Sequence, residues 1–175
     1  EGEASGDGTA DIVQIAKGQR EAPNLCALLA DTTKRKIFHY ARFDIAALYH
    51  AFGVMTQPVF CTKIASRLTR TYTDRHGLKD LSKELIGVDL SKQQQSSDWA
   101  AETLTPAQLD YAASDVLYLH DLMGVLMQRL EREGRILEVQ GVRGGDVDDV
   151  DVVVRDERLV GGVGVGDPEL IGERL

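Results

Sequence analysis

The chain has 175 residues, 43% of them hydrophobic, which is enough for one domain with a buried core. Its formal net charge of −8 argues against a general nucleic-acid binder, and no apolar run reaches the length of a membrane span. Cys26 and Cys61 stand far apart without metal-ligand spacing, which fits two reduced thiols and a cytoplasmic setting.

The charge is unevenly spread. Residues 61–92 hold seven Lys and Arg against four acids, a local basic stretch on an acidic protein. Residues 135–175 hold five against ten, and from about Gly141 the composition narrows towards Val, Gly, Asp and Arg. That shift predicts a boundary near residues 134–141. Residues 1–134 then form the main domain, and 135–175 an acidic tail of unknown fold that is expected to be disordered or non-native sequence.

In chain order, TADIVQIA (9–16) alternates as a strand does, after a turn-rich SGDG. APNLCALLAD (22–31) carries Leu25, Leu28 and Leu29 at helical spacing, and KIFHYA (36–41) is a short β-prone run. FDIAALYHAFG (43–53) sets Phe43, Ala46, Ala47 and Leu48 on a helical pattern and stops at Gly53. PVFCTKIASRLTR (58–70) predicts a strand running into a helix, GLKDLSKELIG (77–87) an amphipathic helix closed by glycine, and KQQQSSDW (92–99) a loop. Thr105-Pro106-Ala107-Gln108 has the form of a capping box with proline at the first helical position. The helix it opens is expected to run to about Glu133, with room for a break, and to stop at Gly134. In the tail, Val150–Arg155 alternates as a strand. The neighbouring Asp146–Asp151 run fails the EF-hand pattern, since Val150 occupies the third ligand position and no glycine follows. Strands alternating with helices through residue 70, then helices, indicate an α/β domain.

Three side chains set a question. Tyr111 and Asp115 in YAASDVLYLHDL share a helix face at i and i+4. Asp44 in FHYARFD opens another helix. Each has an ordinary reading: a half-buried core aromatic, a solvent-facing charge, and an acid favoured by the helix dipole. Together, two aspartates from different helices and a tyrosine can make an oxygen-ligand site for Mg²⁺ or Mn²⁺, suited to phosphodiester hydrolysis. Tyr111, with an ordinary phenol pKa of about 10, would orient a water rather than act as a bulk base.

FHYARFD (38–44), GLKDLSKELIGVDLSKQQQSSDW (77–99) and LTPAQLDYAASDVLYL (104–119) together resemble the ribonuclease D-type 3′–5′ exonucleases, the ribonuclease H-like branch named for four carboxylates and a tyrosine. The resemblance runs over roughly residues 5–134. It implies a mixed sheet flanked by helices, two Mg²⁺ or Mn²⁺ ions, and hydrolysis at the 3′ ends of single-stranded RNA, tRNA precursors among them. Asp44 falls on the second-motif metal aspartate, and Tyr111 and Asp115 on the third motif, Tyr-x-x-x-Asp. Lys92 matches a cation that meets a phosphate, Trp99 a residue that stacks on a base or packs in the core, and His39 one that lines the site or serves structure. The first motif, Asp-x-Glu on an opening strand, is expected well upstream of SGDG; Glu1-Gly2-Glu3 has the spacing but sits too close to Gly6. The chain is therefore expected to be a partial domain lacking its opening strands, from a fragment or a displaced gene boundary or reading frame. KIFHYA would then present an unpaired edge. Three rivals stay open: an exonuclease acting on single-stranded DNA, a non-catalytic nucleic-acid-binding remnant that uses the basic stretch, and a fragment that aggregates through its open edge.

Overall fold

The computed structural model describes residues 9–16, 18–142 and 150–156, with side chains described through Arg135. Its elements are α1 (Pro23–Ala30), β1 (Lys36–Phe38), α2 (Ala41–Phe52), β2 (Val59–Cys61), α3 (Thr62–Thr69), α4 (Leu78–Ile86), α5 (Pro106–Leu117), α6 (Leu119–Arg132), β3 (Arg135–Val142) and β4 (Val150–Asp156). One mixed sheet runs in the order β1-β2-β3-β4. β1 lies parallel to β2, with Ile37 opposite Phe60, and β3 and β4 add antiparallel. Parallel neighbours need a crossover, and α2 supplies it. Among the described residues the outer edge of β1 has no strand partner.

The core follows from helical periodicity. α6 buries Leu119, Leu122, Leu126 and Leu130, at i, i+3, i+7 and i+11. These pack against Phe60 of β2, Ala65 and Leu68 of α3, and Leu81 of α4. A second cluster joins Ala41 and Ile45 of α2 to Val59 and Cys61 of β2. α2 thus turns a face to the sheet that differs from the one the sequence suggests. Phe43, counted there as part of the apolar pattern, is 72% exposed, while Ala41 and Ile45 are buried.

Two boundaries are set by left-handed residues where glycine stands: Gly53 ends α2 at φ 66° and Gly87 ends α4 at φ 73°. Thr105 caps α5 as expected, with its Oγ1 accepting from the Gln108 amide at 3.3 Å. The long helix breaks at Tyr118, separating α5 from α6. The expected strand at 9–16 is absent: these residues carry no regular secondary structure. A strand persists only where its backbone groups find a neighbour. Here the anchor is a side chain, Gln14, whose Nε2 donates to the Ala101 and Glu102 carbonyls at 3.1 Å each. The expected strand at Val150–Arg155 is present as β4, while the Asp146–Asp149 part of the acidic run lies outside the described residues.

One buried polar network ties the α3–α4 connection together. The fully buried Arg70 guanidinium donates through Nε to Glu84 Oε1 at 3.0 Å and through Nη2 to Glu84 Oε2. Its Nη1 donates to Ser66 Oγ at 2.9 Å and to the Arg75 carbonyl at 2.8 Å. A buried guanidinium is tolerable only when its donors are met, and four of them are. None of the described helices is long and apolar enough to cross a membrane.

Candidate active site

The site grows from two helix starts. At the first, β1 ends at Phe38 and the chain turns through His39 and Tyr40 into α2. Tyr40 is held in the left-handed region at φ 70°, rare for a bulky residue, and its carbonyl accepts from the Phe43 amide at 3.2 Å. One turn into the helix, Asp44 is half-buried. Burial pushes its carboxyl above the ordinary aspartate range, with a bond from its own backbone amide acting against this.

At the second, the capping box starts α5, and one turn later Tyr111 and Asp115 meet across the i, i+4 spacing. The Tyr111 hydroxyl and the Asp115 carboxylate lie close enough to perturb one another. Burial raises the Asp115 carboxyl, and the bond from Tyr111 partly lowers it again. Burial and the neighbouring carboxylate both push the Tyr111 phenol upward, so it stays protonated through the neutral range. The Trp99 ring packs on Tyr111 with centroids 5.9 Å apart and planes inclined at 46°, while 39% of the residue stays exposed. Trp99 is therefore neither a core residue nor a free platform.

The described residues bring Tyr111, Asp115 and Trp99 together. Among the described residues no hydrogen bond joins Asp44 to Tyr111 or Asp115, and burial is what raises each carboxyl. Lys92 is exposed in the loop before α5, its carbonyl accepting from the Gln95 amide at 3.2 Å. His39 is half-buried and bonded through Nδ1 to Thr62 Oγ1 at 2.9 Å, and the Thr62 hydroxyl in turn donates to the Phe38 carbonyl. Burial, with Lys63 nearby, lowers the imidazole to about 4, so it is neutral at pH 7 and brings no positive charge.

Two residues that the sequence reading passed over hold this arrangement. Gln108, known there only as a capping residue, is buried and its Nε2 donates to Ser97 Oγ at 3.2 Å and the Asp98 carbonyl at 2.9 Å. This fastens the loop that carries Trp99 to the start of the helix that carries Tyr111. Thr62 fixes His39 against the end of β1. The only sequence signal for either was a polar residue at a position that the helical pattern buries.

Could a metal ion fit? Two half-buried carboxylates with raised pKa and no cation paired to either suit a hard divalent ion in charge and in donor type. Among the described residues no three His, Cys, Asp or Glu side chains gather as a complete ligand set.

The 3′–5′ exonuclease family profile matches residues 3–131. Ribonuclease D of Gluconacetobacter diazotrophicus is 38% identical over 122 residues, which is 70% of this chain and 30% of that protein. Brucella melitensis NrnC bound to pGG superposes with a TM-score of 0.71 at 68% identity, covering 75% of this chain and 63% of that one. The same protein with bound Mg²⁺ gives 0.71 at 66% identity, with the same coverage. Escherichia coli RNase D gives 0.58 at 33% identity, covering 63% of this chain and 29% of that one. The chain thus spans less than a third of these ribonucleases D and under two thirds of NrnC. The sheet and helices described above are those of the ribonuclease H-like exonuclease domain, and the chain belongs to the 3′–5′ exonuclease family.

Proposed function

We propose that this chain carries the second and third motifs of an exoribonuclease that removes nucleotides from RNA 3′ ends. The observation that carries the reading is the Tyr111–Asp115 pair, neighbours on one face of α5 that perturb one another, with Trp99 packed on the tyrosine, all within the matched family segment. Asp44 and Asp115 would hold the divalent ion, Mg²⁺ or Mn²⁺, which supplies the acidity that makes water nucleophilic near neutral pH. Tyr111 keeps its proton and offers a phenolic lone pair to the attacking water, setting its direction. Two ions need more negative charge than Asp44 and Asp115 provide, so a two-ion site requires carboxylates beyond this pair.

Short RNA is the favoured substrate class. NrnC, named with pGG, is 68% identical, whereas the E. coli enzyme, named for structured RNA processing, is 33% identical. Lys92 is proposed to meet a phosphate and Trp99 to border the terminal base, with His39 behind them as a neutral structural group.

Digestion of 5′-labelled pGG, a longer single-stranded RNA, its DNA counterpart and a tRNA precursor in Mn²⁺ tests the reading, beside Asp115→Ala. Shortening from the 3′ end that disappears in the variant supports it. Preference for DNA moves the assignment to a DNA exonuclease. Metal-independent binding without shortening makes the chain a binding remnant.

A further inference from the structure

One side chain ahead of α1 reaches a loop 87 and 88 positions further along the chain. Both protons of the Gln14 amide are used there: Nε2 donates to the Ala101 carbonyl and to the Glu102 carbonyl, at 3.1 Å each. Two successive carbonyls that converge on one nitrogen fix the direction of the loop as well as its distance. Gln14 is in turn held from the side of α1. The chain turns between Ala16 and Gln19, whose amide donates to the Ala16 carbonyl at 2.9 Å. The Gln19 side chain locks that turn: Oε1 accepts from the Ala16 amide at 3.3 Å, and Nε2 donates to the Glu21 carbonyl at 2.8 Å, just before α1 begins at Pro23. Ile12 and Val13 are 42% and 61% exposed, so burial of those two side chains does not seat the segment. Polar bonds do.

Trp99 lies between two attachments. Gln108 holds the Ser97–Asp98 side of the loop, and Gln14 holds the Ala101–Glu102 side. Between them the Asp98 Oδ1 accepts from the Ala100 amide at 3.0 Å, which makes a turn with Trp99 at its centre. A loop held at one point can swing about it; held on both sides of the indole, it keeps the ring in place on Tyr111. We infer that Gln14 is a positioning residue. Through the Ala101 and Glu102 carbonyls it keeps Trp99 on Tyr111, so the segment ahead of α1 works as a strap from that helix to the site. The effect on turnover rests on the exoribonuclease reading, whereas the placement of Trp99 rests on these bonds alone.

Trp99 is the only tryptophan of the chain, so its fluorescence in the metal-free protein reports this loop directly. Gln14→Glu keeps the size of the side chain and removes both donors, while Gln14→Lys replaces the amide but supplies donors again. In Gln14→Glu the emission should move to longer wavelength and acrylamide quenching should about double, the step from 39% exposure towards an open ring. Gln14→Lys should stay near the parent. Gln128→Glu, the same charge change at an exposed position of α6, should change nothing. The melting temperature of Gln14→Glu should stay close to that of the parent, because Gln14 is exposed. In Mn²⁺ the same variant should lower the turnover of 3′ shortening about fivefold, with little change in KM. An unmoved Trp99 in Gln14→Glu, a shift that Gln14→Lys shares, or a lowered melting temperature overturns the strap. A moved Trp99 with undiminished turnover overturns the positioning role. If the parent shortens no RNA while Trp99 moves as expected, the strap stands and the exoribonuclease reading fails. Shortening by the parent with an unmoved Trp99 does the reverse.

Discussion

The Trp99 indole packs on the Tyr111 phenol with ring centroids 5.9 Å apart, so a loop residue fixes the position of a helix residue twelve places on. An aromatic contact of this kind contributes about 0.5–1.5 kcal/mol beyond the area it buries. Trp99→Ala should free the Tyr111 ring and lower the turnover of 3′ shortening about tenfold, with a smaller change in KM. Trp99→Phe should retain most of it. Single-turnover kinetics in Mn²⁺ decide, and a pure KM effect in Trp99→Ala would show that Trp99 acts through its border with the terminal base alone and not through Tyr111.

Asp44 and Asp115 carry charge against their surroundings, since burial raises both. Replacing either by Asn should leave the metal-free protein as stable as the parent or slightly more so. Mn²⁺ should raise the melting temperature of the parent, and the same change should abolish that rise. Thermal melts with and without Mn²⁺ check both halves, and an undiminished Mn²⁺ effect in Asp115→Asn would place the ion elsewhere.

His39 is lowered to about 4 from an ordinary 6.5 by burial and by Lys63. The unfolded chain takes up its proton at higher pH than the folded one. The contribution to stability is therefore complete above about pH 6.5 and is lost as pH falls towards 4. The His39 imidazole carbon should titrate by NMR near pH 4, and His39→Gln should flatten the loss of stability across that interval. A midpoint near 6.5 would show the ring to be open to water.

Glu84 is lowered to about 2, first by its bond from the Arg70 guanidinium and then by the Tyr72 hydroxyl. A carboxylate with a depressed folded pKa stabilises fully above its unfolded value and loses that contribution as pH falls from about 4.5 towards 2. Glu84→Gln should lower stability at pH 7, by leaving the buried Arg70 charge without its partner, and should weaken the acid dependence below pH 4.5. Urea melts at pH 7, 4 and 3 provide the comparison. Parallel pH curves for the two proteins would overturn the role given to this pair.

The α6 seam offers a packing test. Leu122 is fully buried between α3, α4 and the sheet, and Leu122→Ala should destabilise by about 3 kcal/mol. Leu122→Met, of similar volume, should cost about 1 kcal/mol or less. Equal midpoints for the two variants in urea would mean that the seam does not carry the core.

What could be read beforehand was local. The capping box at Thr105, the glycine stops at Gly53 and Gly87 and the i, i+4 meeting of Tyr111 with Asp115 all rest on contacts within a few residues, which spacing alone reports. Spacing alone misplaces the phase of α2, because small Ala41 gives a weak hydrophobic signal and exposed Phe43 a strong one. Residues 9–16 have strand-like alternation, but alternation does not supply a neighbouring strand, and none of the described strands lies beside them. The engagement of Arg70, Lys79 and Lys83 depends on Glu84 and Asp89 arriving from α4 and the loop after it, which no count of charges reveals. For the same reason Trp99 could not be assigned between stacking and core, since its partner lies across the loop.

The Gln108 amide has a consequence for how this protein can change. One side chain caps α5 through Thr105 and holds the Ser97–Asp98 turn. Substitutions at Ser97, Thr105 and Gln108 should therefore be strongly epistatic. Gln108→Ala removes both attachments together, so a second replacement at Ser97 adds little, whereas each alone is felt at Trp99. Helix initiation and loop placement are inherited as one trait, and drift at any of the three positions is constrained by the other two.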